Sequence, residues 1–140
     1  MIMSELVQLN FEKILQTRTY TVILMSSHDK KFAIYTEPSV GKTLQMYLTG
    51  LESPRPQTHD LLERIFAGLQ VKIKQVVIND LEDTTYFARI FLEQTIGELR
   101  HIVEIDARPS DSIILAIMNN APVYGTKEML EKTVSAEGIV

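Results

Sequence analysis

The chain has 140 residues, 45% hydrophobic and 23% charged, with 18 acidic against 14 basic side chains and a formal net charge of −4. That is ordinary globular composition, read as a single domain over residues 1–140, and its acidic balance argues against a general nucleic-acid coat protein with a basic surface. Zero cysteines exclude disulfides and thiolate zinc sites.

In chain order, Val7, Leu9 and Phe11 alternate with Gln8, Asn10 and Glu12, the pattern of a half-buried strand. Tyr20 to Met25 is a second strand, followed by a polar turn from Ser26 to Lys31, and Phe32 to Glu37 is a third. Pro38-Ser39 opens a helix whose Val40, Leu44, Tyr47 and Leu48 share one face, ending near Gly50. A second helix starts at Thr58 and is expected to turn Leu61, Leu62, Ile65, Phe66 and Leu69 inward.

The other half repeats the scheme. Lys72 to Leu81 and Thr85 to Glu93 are strands around a Glu82-Asp83-Thr84 turn, and His101 to Ala107 is the next strand. Pro109-Ser110 opens an almost wholly apolar helix, Ile113 to Met118, which must be buried on most sides, and a last helix runs from about Thr126. Pro38-Ser39 recurs as Pro109-Ser110, and Thr58 to Arg64 is echoed by Thr126 to Lys132. The expectation is a duplication, residues 5–69 and 72–134, each three strands then two helices. The fold class is α+β, with one curved, barrel-like sheet carrying four helices.

No apolar stretch is long enough to span a bilayer, and Met1 to Asn10 has no basic start followed by an apolar region. A soluble cytoplasmic protein with no membrane partner is expected. Gly41-Lys42-Thr43 after a strand mimics the end of a phosphate-binding loop. The first glycine of that motif is replaced by Thr36, and Glu37 would set a negative charge where the loop amides must cradle phosphate.

Two polar segments carry the chemistry: Pro54-Arg55-Pro56-Gln57-Thr58-His59-Asp60 and Ile105-Asp106-Ala107-Arg108-Pro109-Ser110-Asp111. Each puts arginine, proline, a hydroxyl and carboxylate ahead of a helix. Thr58 and Ser110 are expected to cap the first-turn amides, at about 1 kcal/mol each. His59 is the only plausible general base by context, although it can equally be an incidental resident of a helix start. Arg108 with Ser110 can hold a phosphate, or Arg108 can simply pair with Asp106 or Asp111. Asp106 and Asp111 can hold magnesium, which takes one or two carboxylates plus water.

These segments, with Val76-Val77-Ile78-Asn79-Asp80-Leu81, Tyr86-Phe87-Ala88 and Ala121-Pro122-Val123-Tyr124, occur in an order that resembles the bifunctional nuclease domain family across residues 5 to 134. The resemblance implies a barrel-like sheet built from two repeats, and activity on both DNA and RNA. The matching positions are Arg55, Thr58, His59, Asp60, Asp106, Arg108, Ser110 and Asp111. The chain departs from the family at Glu37-Pro38-Ser39-Val40-Gly41, where a glycine and an acidic-alanine pair are usual. Phosphodiester hydrolysis then assigns catalysis to His59, Asp60, Asp106 and Asp111, phosphate binding to Arg55, Arg108 and Ser110, and magnesium or another divalent cation to Asp106 and Asp111. The competing expectation is a non-catalytic anion-binding or oligomerisation module in which the same residues clasp the helices. A homo-oligomer is expected.

Overall fold

The computed structural model describes residues 5–137. Its elements run β1 (Leu6–Gln16), β2 (Thr21–Ser26), β3 (Lys31–Thr36), α1 (Pro38–Thr49), α2 (Thr58–Gly68), β4 (Val71–Glu82), β5 (Thr85–Ile96), β6 (Leu99–Ala107), α3 (Pro109–Asn119), β7 (Val123–Thr126) and α4 (Lys127–Lys132). The fold is α+β. Pro38 and Pro109 both stand in the first helical turn after the third strand of a triplet, where a missing N–H is harmless.

The sheet has seven strands in the order β3-β2-β1-β7-β4-β5-β6. It curves but does not close, so β3 and β6 are edges rather than neighbours in a barrel. Two antiparallel triplets, β1–β3 and β4–β6, are joined by β7, a strand that the sequence did not announce. β7 is antiparallel to β1, from Leu6 opposite Thr126 to Leu9 opposite Val123, and parallel to β4, with Val76 opposite Val123 and Ile78 opposite Gly125. It also separates α3 from α4, so the second half is not the uninterrupted helix pair of the first.

The apolar run of α3 behaves as its sequence requires. Ile113, Ile114, Leu115 and Ala116 are all buried, the first pair in a cluster with Ile23, Phe32, Leu44 and Met129, the second with Val76, Ile90 and Leu92. α3 is thus wedged between two cores, which leaves it no polar face over these positions. β2 is buried on both faces, because Val22 and Leu24 meet Ala136 on the side away from the helices. The Ala136 N–H donates to the Lys31 carbonyl at 2.8 Å and covers part of the β3 edge.

α2 corrects the sequence reading. Only Leu62 and Phe66 pack on the second core, whereas Leu61, Ile65 and Leu69 are exposed. Five apolar positions on one helix span a wider arc than one sheet surface can cover. The caps are corrected too. The position before α2 is Gln57, not Thr58, and the Asp60 carboxylate reaches back to accept the Gln57 N–H at 2.8 Å. Arg108 stands before α3, and Ser110 lies inside the helix, so neither expected hydroxyl is the cap. Thr126 is one, accepting the Met129 N–H at 3.2 Å.

Gly41 sits in α1, not in a phosphate loop. Its N–H donates to Thr21 Oγ1 at 3.2 Å, and a Cβ there would fall 1.7 Å from Gln16 Oε1 and 2.6 Å from Thr21 Oγ1. Alanine gains about 0.8–1 kcal/mol of helix propensity, but overpacking a closed contact costs about 1–3 kcal/mol. Crowding wins, and Gly41→Ala is expected to lower the unfolding free energy by roughly 1 kcal/mol in a urea titration. A more stable variant would show that the Gln16 and Thr21 side chains can turn aside.

Candidate functional site

Three helix starts converge. Glu37 precedes α1, His59 lies in the first turn of α2, and Arg108 and Asp111 flank the start of α3. His59 Nε2 lies 3.0 Å from Asp111 Oδ1. Arg108 Nε donates to Asp111 Oδ2 at 3.1 Å, with Nη2 at the same distance from that oxygen in the ion pair, and Arg108 Nη1 donates to Glu37 Oε1 at 3.0 Å. The result is a chain of polar contacts, Glu37–Arg108–Asp111–His59, that ties segments more than 50 residues apart.

The network grades from wet to nearly dry. The Arg108 side chain is 64% exposed, Asp111 33% and His59 13%. Asp111, first, and Glu37 hold the Arg108 guanidinium more firmly protonated than usual. An ionised carboxylate only accepts hydrogen bonds, so His59 Nε2 carries the proton toward Asp111. In the neutral ring this leaves the Nδ1 lone pair as the basic atom.

The remaining predicted residues fall elsewhere. Asp60 faces a different group: besides capping, it accepts from Tyr47 Oη at 3.0 Å. Burial first, then the Asp60 hydrogen bond and charge, push the Tyr47 hydroxyl up to about 12. Asp60 is thus engaged as a cap and a tyrosine acceptor, and the catalytic assignment made from sequence does not describe its contacts. Arg55 lines an open cleft of about 680 Å³ with Met46, Tyr47, Asp60, Arg64 and Met118, not the His59 network. Ser110 is only 5% exposed, so its hydroxyl does not face a phosphate arriving from solvent.

Asp106 and Asp111 do not pair around an ion. Asp106 is on β6, 73% exposed, with Arg89 Nη1 of β5 at 3.7 Å, while Asp111 is committed to His59 and Arg108. Among the described residues no three His, Cys, Asp or Glu side chains gather as a metal site. The donors present do not fit the divalent cation expected at this pair.

Glu37 is the residue that sequence reasoning passed over. The signal was present: Glu37-Pro38-Ser39 and Arg108-Pro109-Ser110 are matching helix starts carrying opposite charges, and those charges meet.

Because Arg108 and Glu37 are both more than half exposed, their pairing contributes no more than about 1 kcal/mol to stability. Arg108→Ala is therefore expected to remain folded, with a denaturation midpoint close to that of the parent. A loss of several kcal/mol would identify a buried clasp instead.

The bifunctional nuclease domain profile matches residues 22–137. Two Mycobacterium tuberculosis proteins, "Uncharacterized protein MT1877" from strain CDC 1551 and "Uncharacterized protein Rv1829" from strain H37Rv, are each 30% identical over 117 residues, covering 82% of this chain and 67% of theirs. "Bifunctional nuclease 1" of Arabidopsis thaliana is 27% identical over 90 residues, 64% of this chain but 27% of its own length. Among the described residues no helix is long and apolar enough to cross a membrane.

Proposed function

Since the chain belongs to the bifunctional nuclease domain family, we propose that it is a hydrolase that cleaves phosphodiester bonds of DNA and RNA at the three converging helix starts. The observation that carries this reading is the 3.0 Å contact of His59 with Asp111, whose other oxygen is held by a solvent-facing Arg108. Base, orienting carboxylate and cation are the parts that such a reaction asks of a protein.

In this mechanism Asp111 fixes the ring so that Nδ1 of His59 accepts a proton from water. The water oxygen bonds to phosphorus, the bond from phosphorus to the leaving oxygen breaks, and the proton passes from His59 to that oxygen. Arg108 donates to the phosphate through guanidinium hydrogens that Asp111 and Glu37 leave free, neutralising charge as it builds. Glu37 keeps the guanidinium plane in place but also puts a negative charge beside an anionic substrate. A neutral Glu37→Gln is therefore expected to tighten substrate binding, seen as a lower KM.

The net charge of −4 limits general affinity for nucleic acid, so binding here rests on local cations and falls as salt rises. A cysteine-free chain suits the reducing cytoplasm, where we place this activity.

The alternative, a non-catalytic module, is favoured by one observation: every charged group of the network already has a protein partner. The two readings separate in one experiment. Labelled single- and double-stranded DNA and RNA are incubated with parent protein and with His59→Ala and Asp111→Asn proteins purified identically. Loss of the general base should slow cleavage roughly 10²–10⁴-fold, with folding unchanged by circular dichroism. Equal cleavage by parent and His59→Ala would overturn the assignment, and a parent without activity would favour the module.

A further inference from the structure

Tyr20 and Tyr35 stand at the open end of the β2–β3 hairpin, and neither the core nor the His59 network uses them. Phe32 and Ile34 of β3 enter the core beneath the helices, so Lys31, Ala33 and Tyr35 face the other side of the sheet. There Ala136 closes over Val22 and Leu24. Tyr35, opposite Val22, is still 56% exposed, and Tyr20, just ahead of β2, is 42% exposed. Their ring centroids are 5.4 Å apart, with the planes tilted by 34°. Two rings that already touch leave no slot between them, but they offer one broad aromatic face.

Both rings are carried on fixed backbone. Thr17 Oγ1 accepts the Tyr20 N–H at 3.1 Å and donates to the Tyr20 carbonyl at 3.0 Å. The Thr17 N–H donates to the same carbonyl at 2.9 Å. Tyr35 is held in the ladder that runs from Thr21 opposite Thr36 to Ser26 opposite Lys31. Packing across the strands accounts for the contact between the rings. It does not account for where they stand.

Tyr35 lies two residues before Glu37. Thr36 ends β3 and Glu37 stays extended, with φ −70° and ψ 155°, so both side chains leave the same side of the chain. Two extended residues advance about 6.6 Å. Glu37 Oε1 accepts from Arg108 Nη1 at 3.0 Å. The aromatic face is therefore a neighbour of the guanidinium to which the mechanism gives the phosphate.

We infer that Tyr35 and Tyr20 form a base-stacking subsite and that the site takes single-stranded DNA or RNA, with the base beside the scissile phosphate lying on the Tyr35 ring. The subsite takes its ligand class from the nuclease reading above, and it supplies what an acidic chain lacks. With a net charge of −4, attraction for phosphates is weak, and stacking gives affinity that does not depend on charge. Stacking also selects the state of the strand. A base inside a duplex has both faces covered, whereas an unpaired base can turn onto an aromatic ring. Every base has such a face, so the subsite tolerates sequence.

Binding is measured apart from cleavage. The chain has no tryptophan, so tyrosine emission is read directly, and a base stacked on Tyr35 should quench part of it. Oligo(dT) should quench the parent, and a blunt-ended duplex of equal length should not. The titrations are repeated in His59→Ala, where cleavage cannot erode the strand. By fluorescence anisotropy with labelled oligo(dT), Tyr35→Leu should bind roughly 5- to 150-fold more weakly, the range that one stacked base is worth. Tyr35→Phe keeps the ring and should bind within about twofold of the parent. An abasic strand, with phosphates but no bases, should bind the parent and Tyr35→Leu equally, as a misfolded variant would not. Equal binding of oligo(dT) by the parent and Tyr35→Leu, or none by either, overturns the subsite. So does a duplex that binds as tightly as oligo(dT). A parent that cleaves neither DNA nor RNA, yet binds oligo(dT) through Tyr35, sinks the cleavage reading alone and leaves the subsite standing.

Discussion

Four residues hold this sheet together. β1 and β4 are not neighbours, and among the described residues the only strand between the two antiparallel triplets is β7, Val123–Thr126. Its two edges bond in opposite senses, antiparallel to β1 and parallel to β4. Everything above depends on that geometry: the sheet is continuous, α3 is trapped between two cores, and the helix starts of both halves face one another. Thr126 then leaves the strand as the cap of α4 while its hydroxyl donates to the Asn79 carbonyl at 3.2 Å. Strand, cap and neighbouring strand are locked by one side chain.

The site is a consequence of pseudo-symmetric ends meeting. Each triplet delivers a residue ahead of a helical proline, Glu37 in one case and Arg108 in the other, and the curved sheet brings those two starts together. Negative charge at the start of a helix is favourable in itself, and Asp111 and Asp60 both occupy first turns. Asp111 has a second use, because one oxygen faces Arg108 and the other His59. Asp60 spends both its oxygens on Gln57 and Tyr47. Two acids in equivalent local settings thus differ in chemistry because of what lies opposite.

How much of this was legible in the sequence differs by element, for physical reasons. β4 and β5 carry period-two patterns bounded by the Asp83 turn, where a φ of 56° marks the reversal. The prolines and Gly50, with a φ of 73°, bracket α1. β7 was illegible because four residues after Pro122 have no period to read; β1 and β4 make them a strand. The α2 surface was misread because apolar spacing reports which residues can face a core, not how wide that core is. The meeting of His59 with Asp111 was conceivable from two similar polar segments, but only tertiary geometry puts Asp106 beside Arg89 and Glu37 beside Arg108.

The larger core cluster has a bearing on how the protein is made. Ile23, Phe32 and Leu44 from the first half are buried against Ile113, Ile114, Met129 and Leu130 from the second. During synthesis β2, buried on both faces in the finished fold, emerges long before the residues that cover it. The first half therefore waits on the ribosome with its most apolar strand unshielded, a holding period in which chaperones have a natural client. Contacts of such long sequence separation also make folding slow, since loops must close before burial rewards them.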